Sequence, residues 1–447
     1  MAKRNTLDMT QGPVLRKLLL YAYPLIISAT VNQLYNVVDK AIAGKFIGSS
    51  AMAAVGASSA PIALIVNVFT GMAVGVSVSC GNYIGAGKKE DLRRCMHTAP
   101  FAGLFCGLLV CLIGLFSSRA LLMSTNTPSE VFSDALTYMT IYMLGTPIQI
   151  TNNFLACILN AHGDTKRITI IGISSGLLNV LGNLLFVLVI PLGVAGIALS
   201  TVLSITASLT AKLVILFNPK DNYRMTLSEL RPRMQYMKEI FSVGVPAGAS
   251  NIAFSLANML MQSSINSFGT AVIAGDSAAV SLLHVITPIY AQIGNAVSCT
   301  AAQCYGAKNF PRITEAVKKG MIFSLSAVFV CCIIITLFST PLMMLFTDDP
   351  AVADAGFPVL MFSGWGYMFF TVCHVFSGAL RGLRKSTVTM VCNLAGICLP
   401  RILWILFVFP HFNTLIGLYI CMPLSYGIAA IALGFSFKHT HKRLSAQ

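Results

Sequence analysis

Apolar residues run along this chain in long unbroken stretches, without the alternation of strands or the one-sided stripe of surface helices. Twelve such stretches lie near residues 18–44, 57–84, 99–117, 135–158, 168–190, 194–217, 241–266, 277–304, 320–346, 357–378, 388–409 and 415–437. Each is long enough to cross a hydrocarbon core about 30 Å thick, which takes roughly 20 helical residues. Lipid offers backbone N–H and C=O groups no partners, so the spans are predicted to be helices; barrel strands would alternate. Pro128, the Pro191-Leu192-Gly193 turn, Pro219, Pro350 and Pro410 punctuate the joints. Nothing remains for a soluble catalytic domain. The polar start, Met1-Ala-Lys-Arg, runs into a long span with no evident cleavage site, so no signal peptide is expected.

Composition agrees with this pattern: of 447 residues, 56% are hydrophobic and 10% charged, and the mean hydropathy is +0.77. Soluble domains carry about a quarter charged residues, so an ordinary soluble protein is excluded. The net charge of +15 would suit nucleic acid only if the bases shared one solvated face, and here they are threaded between apolar runs. Alternate connections hold 25 of the 30 Lys and Arg, including Lys88, Lys89, Arg93, Arg94, Lys166, Arg167 and Lys220. Basic connections stay in the cytoplasm, which places both termini there in a cell membrane. The opposite connections hold Lys45 and Arg119 with the acids Glu130, Asp134, Asp276, Asp348, Asp349 and Asp354. The 13 cysteines form no CxxC pattern and mostly sit within spans, as small core residues rather than disulfides or metal ligands.

The two halves repeat. Pro24 pairs with Pro246, 222 positions later, while Asn82-Tyr-Ile-Gly85-Ala86 pairs with Gln303-Cys-Tyr-Gly306-Ala307 at 221. Leu159 to Thr165 pairs with Leu380 to Ser386, also at 221. With six spans in each half, both halves enter the membrane from the same side. The predicted fold is an all-α polytopic membrane protein, twelve transmembrane helices in two six-helix lobes related as parallel repeats around a central cavity. The lobes are expected at 1–217 and 241–447, joined by a polar cytoplasmic linker, 218–240.

Within the spans one acid of the fifteen stands out, Asp39. A carboxylate in hydrocarbon costs on the order of 2.5–3.5 kcal/mol, so it is expected to serve as an ion or proton site facing the protein interior. The alternative is that it reaches water near the end of a long span, with Lys40 snorkelling beside it. The equivalent position in the second half is Leu260 or Met261, both neutral. Span five offers Asn179 and Asn183, four apart on one helical face, and span six Thr201. Their alternative role is hydrogen bonding between helices. Gln33, Tyr35, Gln149, Asn152 and Asn153, in spans one and four, are candidates for a substrate cavity whose walls are otherwise apolar and aromatic.

Pro24, the run Val37-Val38-Asp39 followed by Ala43-Gly-Lys-Phe-Ile-Gly48 and Ala53-Ala-Val-Gly56, the two Gly-Ala loops, and Leu380-Arg381-Gly382 together resemble the multidrug and toxic compound extrusion (MATE) transporters over essentially the whole chain. The resemblance implies secondary active efflux of amphipathic, mostly cationic compounds against inward Na⁺ or H⁺, without a cofactor. The Asn179, Asn183 and Thr201 spacing resembles the amino-terminal-lobe cation site of the DinF-like branch, where the position of Asn183 is commonly Asp. With Asn183 neutral, that site holds one negative charge instead of two. The other branch places acids in spans seven and ten; here these offer only Asn251, Asn258, Gln262 and His374.

His284 and His374 are expected to be neutral packing residues, and Arg401 has no acid in its own span. The runner-up is a flippase for lipid-linked precursors, which would need interior cations to meet pyrophosphate; Arg401 and Lys40 are the candidates. A polytopic membrane enzyme is less favoured, because His162-Gly-Asp164 is a repeat landmark rather than a site. No Gly-rich phosphate loop is present, which argues against ATP. The expected partners are small molecules and the bilayer, with no nucleic acid and the chain working as a monomer.

Overall fold

The computed structural model describes residues 6–446 apart from 126, 220, 222, 347–348 and 413, so Lys220 and Asp348 lie outside it, as does the side chain of Lys40. No strand occurs among the described residues. The first span is Val14–Ile42, extended by a π-helical segment, Ala43–Ile47; the second is Ser49–Met72 with Val74–Gly85, broken at Ala73. Lys89–Ser124, Ser129–Ala161, Thr165–Leu184 with the π-helical Leu185–Val189, and Val194–Leu216 complete the first six. The second six are Met234–Asn266, Thr270–Leu283 with Thr287–Gly306, Phe310–Leu337, Pro350–Gly382, Ser386–Phe412 and Leu415–Ser445.

Among the described residues ten helices are long and apolar enough to cross a membrane, and the eighth span, bent by 44°, makes an eleventh. The fourth, Ser129–Ala161, is as long at 33 residues but is diluted by Thr137, Tyr142, Gln149, Asn152 and Asn153. Most of these polar residues are half-buried, Tyr142, Gln149, Asn152 and Asn153 together with Asn160, whereas Thr137 is exposed. The third span meets it backbone to backbone. A Cβ at Gly107 would lie 2.5 Å from Pro147 Cα, and one at Gly103 2.9 Å from Thr151 Cα, the close approach that small residues allow between membrane helices. The all-α, twelve-span architecture expected from the sequence is thus the one the chain adopts.

Four helix ends carry the duplication into the backbone. Gly87 and Lys308, 221 apart, have φ of 67° and 56°, and Gly163 and Arg384, also 221 apart, have 72° and 60°. At each end the next residue closes back five positions: Lys88 N to Tyr83 O at 3.0 Å, Asp164 N to Leu159 O at 3.0 Å, Asn309 N to Cys304 O at 2.8 Å and Lys385 N to Leu380 O at 2.9 Å. These are left-handed Schellman caps, which satisfy carbonyls the helix itself leaves open.

The chain divides into two compact units. One contains Pro24–Gly248 with the residues up to Asp8; the other contains Met9–Tyr23 and Ala249–Gln447. Both boundaries inside helices lie at or two residues past the paired prolines, Pro24 and Pro246. In the first unit the early turns of the seventh span press on the break in the second: a Cβ at Gly75 would lie 2.0 Å from Ile240 O, and one at Gly244 2.4 Å from Met72 O. The connection after the sixth span is fastened to this unit as well. Tyr223 Oη donates to Asp164 Oδ2 at 2.5 Å, Arg167 brackets Asp221 at 2.8 and 3.1 Å, and Thr226 N donates to His97 Nε2 at 2.9 Å.

Candidate functional site

Asp39 sits one turn before the π-helical end of the first span, and Asn183 just before that of the fifth; the two π-helical segments pack on one another. Such segments often mark functional positions, since the wider turn leaves backbone groups imperfectly paired. Asn183 Nδ2 donates to Asp39 Oδ1 at 2.5 Å. Asn183 is fully buried, Asp39 half-buried, and Asn183 Oδ1 has no hydrogen-bond partner among the described residues. One turn earlier Asn179 Nδ2 donates to Thr201 Oγ1 at 3.2 Å, and Ser200 Oγ donates to the Asn179 carbonyl at 2.6 Å.

The four residues expected at a cation site therefore fall into two adjacent hydrogen-bonded pairs on three spans of the first unit. Their donor set is one carboxylate with neutral amide and hydroxyl oxygens. Among the described residues no cluster of His, Cys, Asp and Glu could hold a metal ion. Hard neutral oxygens around a single negative charge suit a monovalent cation or a proton. The unsatisfied Asn183 oxygen is the feature that such an ion would complete, because a buried acceptor without a donor costs about 1–3 kcal/mol.

Among the described residues the five cavity candidates share no hydrogen bond with the Asp39 cluster. Gln33 is exposed, while Tyr35 is half-buried, with its hydroxyl donating to Ile173 O at 3.2 Å and its ring against Gly176. Gln149 Nε2 donates to Tyr142 Oη at 2.9 Å, and Asn153 Nδ2 to Thr70 Oγ1 at 3.4 Å. Asn152 Oδ1 accepts from Lys212 Nζ at 2.6 Å, and Lys212 also donates to Ser208 Oγ at 3.0 Å. Lys212, only 5% exposed, is an interior cation that the sequence reading passed over when it named Arg401 and Lys40 alone. A base by base tally would have found it, between Ala211 and Leu213 in the sixth span.

The acids also need a correction. Asp276, assigned above to a connection, lies inside the helix Thr270–Leu283, is 5% exposed, and accepts a 2.5 Å hydrogen bond from Tyr419 Oη. The signal was Gly269, a glycine with φ of 95° that caps a helix starting at Thr270, seven residues earlier than the apolar run near 277 does. Arg401 is wholly buried in the same unit, donating from Nε to Ser425 Oγ and from Nη1 to Asn258 Oδ1, both at 3.0 Å. His374 packs at 4.8 and 4.7 Å between the rings of Tyr290 and Phe370, as a packing residue does, whereas His284 is exposed at a helix end.

The MatE family profile matches residues 24–185 and again 246–405, so both matches begin on the paired prolines Pro24 and Pro246. The probable multidrug resistance protein YpnP of Bacillus subtilis is 27% identical over 400 residues, 88% of each chain. Two solved structures share the fold. A multidrug resistance MATE family transporter of the MOP superfamily, in an outward-facing conformation, superposes with a TM-score of 0.89 over 98% of both chains at 21% identity. A MOP superfamily transporter from Pyrococcus furiosus, described as having a binding pocket of reverse polarity that suggests a different function, reaches 0.91 over 99% of both chains at 22% identity. Two copies of one family profile on two six-span halves leave one conclusion: this multi-pass membrane protein belongs to the MatE family, the MATE transporters.

Proposed function

We propose that the chain is a secondary active antiporter that exports small amphipathic, mostly cationic compounds in exchange for inward H⁺ or Na⁺, with Asp39, Asn183, Asn179 and Thr201 as the coupling site. The observation that carries this is the Asp39–Asn183 pair, a carboxylate and an open amide oxygen held together inside an apolar helix bundle. An ion or proton arriving there neutralises Asp39. Coupling then requires that the site bind more tightly in one conformation than in the other, since a ligand shifts an equilibrium only by its differential affinity. The multidrug resistance relatives support the substrate class, and flipping of lipid-linked precursors is not favoured. Gln33, Tyr35, Gln149, Asn152 and Asn153 are the proposed substrate contacts; both termini are proposed to face the cytoplasm at the cell membrane, with the chain acting as a monomer.

The test is uptake of a fluorescent organic cation into inverted vesicles, with Na⁺ and H⁺ gradients imposed separately. One gradient is expected to drive uptake, and Asp39→Asn to abolish it at unchanged expression. Undiminished gradient-driven uptake by that variant would overturn the assignment.

A further inference from the structure

Away from the coupling site, the first unit holds a cavity of about 770 Å³ between the end of the second span, the start of the third and the connection after the sixth. Tyr83, Ile84, Leu92, Met96 and Tyr223 give it apolar and aromatic walls, and Lys89, Arg93 and Arg224 bring three cations to it from two elements. Among the described residues no acid lines it. The acids around it are engaged elsewhere: Glu90 with Arg94 at 2.8 Å, Asp91 and Glu239 with the hydroxyls of Tyr236 and Tyr83 at 2.8 and 2.6 Å, Asp164 with Tyr223, Asp221 with Arg167, and Glu229 with Arg93. Lys89 and Arg224 are left exposed, in no ion pair among the described residues. His162 also lines the cavity and stays neutral at pH 7, because burial pushes its imidazole down to about 4.

A basic residue at the end of a membrane helix ordinarily needs no partner but water. Here two unpaired cations flank one concave surface, and an anion between them gains charge-assisted hydrogen bonds without displacing an existing pair. Thr226, on the same wall, has a buried hydroxyl with no partner among the described residues, so turning it toward such an anion costs no hydrogen bond.

We propose that this cavity is a binding site for a phosphate monoester that carries an apolar or aromatic body. The phosphate, close to a dianion at neutral pH, lies between the Lys89 ammonium and the Arg224 guanidinium, whose planar fork takes two of its oxygens. The body lies on the tyrosine and aliphatic walls, which inorganic phosphate would leave uncovered. A bound ester thereby joins the connection at Arg224 to the start of the third span at Lys89.

The probes are 2-naphthyl phosphate, dihexanoyl phosphatidic acid and inorganic phosphate. Each is titrated calorimetrically into the full chain in phosphatidylcholine nanodiscs, with empty discs subtracted. Whichever ester binds more tightly identifies the occupant as a soluble aryl phosphate or a lipid headgroup. That ester is expected to bind about tenfold or more tighter than inorganic phosphate, through the apolar area it buries. Lys89→Gln combined with Arg224→Gln is expected to weaken it by about tenfold or more. Asp39→Asn is expected to leave its affinity unchanged, which separates this site from the coupling site. The ester is also expected to protect the parent from trypsin cleavage after Arg224, and the protection to be lost in Lys89→Gln. No binding by either ester, inorganic phosphate binding as tightly as both, affinity retained in the double variant, or affinity lost with Asp39→Asn would each overturn the proposal. Both replaced side chains are exposed, so the double variant is expected to melt with the parent. If it does not fold, the protection experiment on Lys89→Gln decides, and cleavage equally slowed by the ester in parent and variant would overturn the proposal.

Discussion

Lys212 is a buried ammonium whose hydrogen-bond partners, Asn152 and Ser208, are both neutral. A buried charge is most costly when a partner is removed and least costly when the charge itself is removed. Asn152→Ala is therefore expected to destabilise the protein by about 1–3 kcal/mol. Lys212→Met is expected to melt at or above the parent temperature; thermal melts in detergent distinguish the two outcomes. His162 gives a pH signature outside the spans. Burial pushes its imidazole down to about 4 from an ordinary 6.5, while Nδ1–H donates to Ile158 O and the ring lies 4.5 Å from that of Tyr223. Above 6.5 the folded and unfolded chains are both neutral at this position. Between 6.5 and 4 only the unfolded chain takes the proton, so stability falls on acidification, by at most about 3 kcal/mol. Asp164, raised by burial, works in the opposite sense and offsets part of the loss. Melting temperature is expected to drop from pH 7 to pH 5, and the drop to flatten in His162→Gln. At this scale the sequence made Asp39, Asn179, Asn183 and Thr201 visible because each is polar inside an apolar run. It hid Asp276, because the helix that follows Gly269 starts before the apolar stretch near 277 does.

The repeat was legible as matched words 221 positions apart, but its strictest expression is a backbone angle. Gly87 and Gly163 occupy left-handed caps that a glycine enters freely, while Lys308 and Arg384 occupy the same caps in the second half against the cost a Cβ imposes there. Gly87→Ala is expected to lose about 1 kcal/mol, whereas Lys308→Gly holds or gains stability, as denaturation of the two variants would show. Glycine matters in another way on the fifth span. A Cβ on Gly176 would stand 1.8 Å from the Tyr35 ring, so Gly176→Ala must displace the first span or the tyrosine. It is expected to lower both melting temperature and efflux, and Tyr35→Ala added to it to restore the melting temperature. The π-helical ends of the first and fifth spans had no counterpart in the reading of apolar periods, because a single widened turn leaves the apolar run unbroken. Long apolar runs fixed the number of spans but could not show where they bend.

For the whole molecule, the polar connection after the sixth span is the place where hydropathy suggests a loose joint, yet Asp221, Tyr223, Thr226, Glu229 and Tyr236 are tied to the first unit. Arg93 pairs with Glu229, Tyr236 Oη donates to Asp91 Oδ1 at 2.8 Å, and Thr226 is held by His97. Limited trypsin digestion at Arg224 and Arg231 is expected to be slow, and to quicken in His97→Ala. Such ties depend on side chains far apart in sequence, which is why the composition of the connection gave no sign of them. The amino-terminal segment has a longer reach still. Arg312 Nε donates to Met9 O at 2.7 Å, across 303 positions, its Nη2 caps Gln11 O and Gly12 O, and Met9 N donates to Gln303 Oε1 at 2.8 Å. At a synthesis rate of roughly 5–20 residues per second, the first turns of the chain must wait about 15–60 s after they are made before their partners exist. The ribosome thus delivers Met9 to Gly12 long before the place they belong, and this seam of the second unit can close only after Arg312 has been translated.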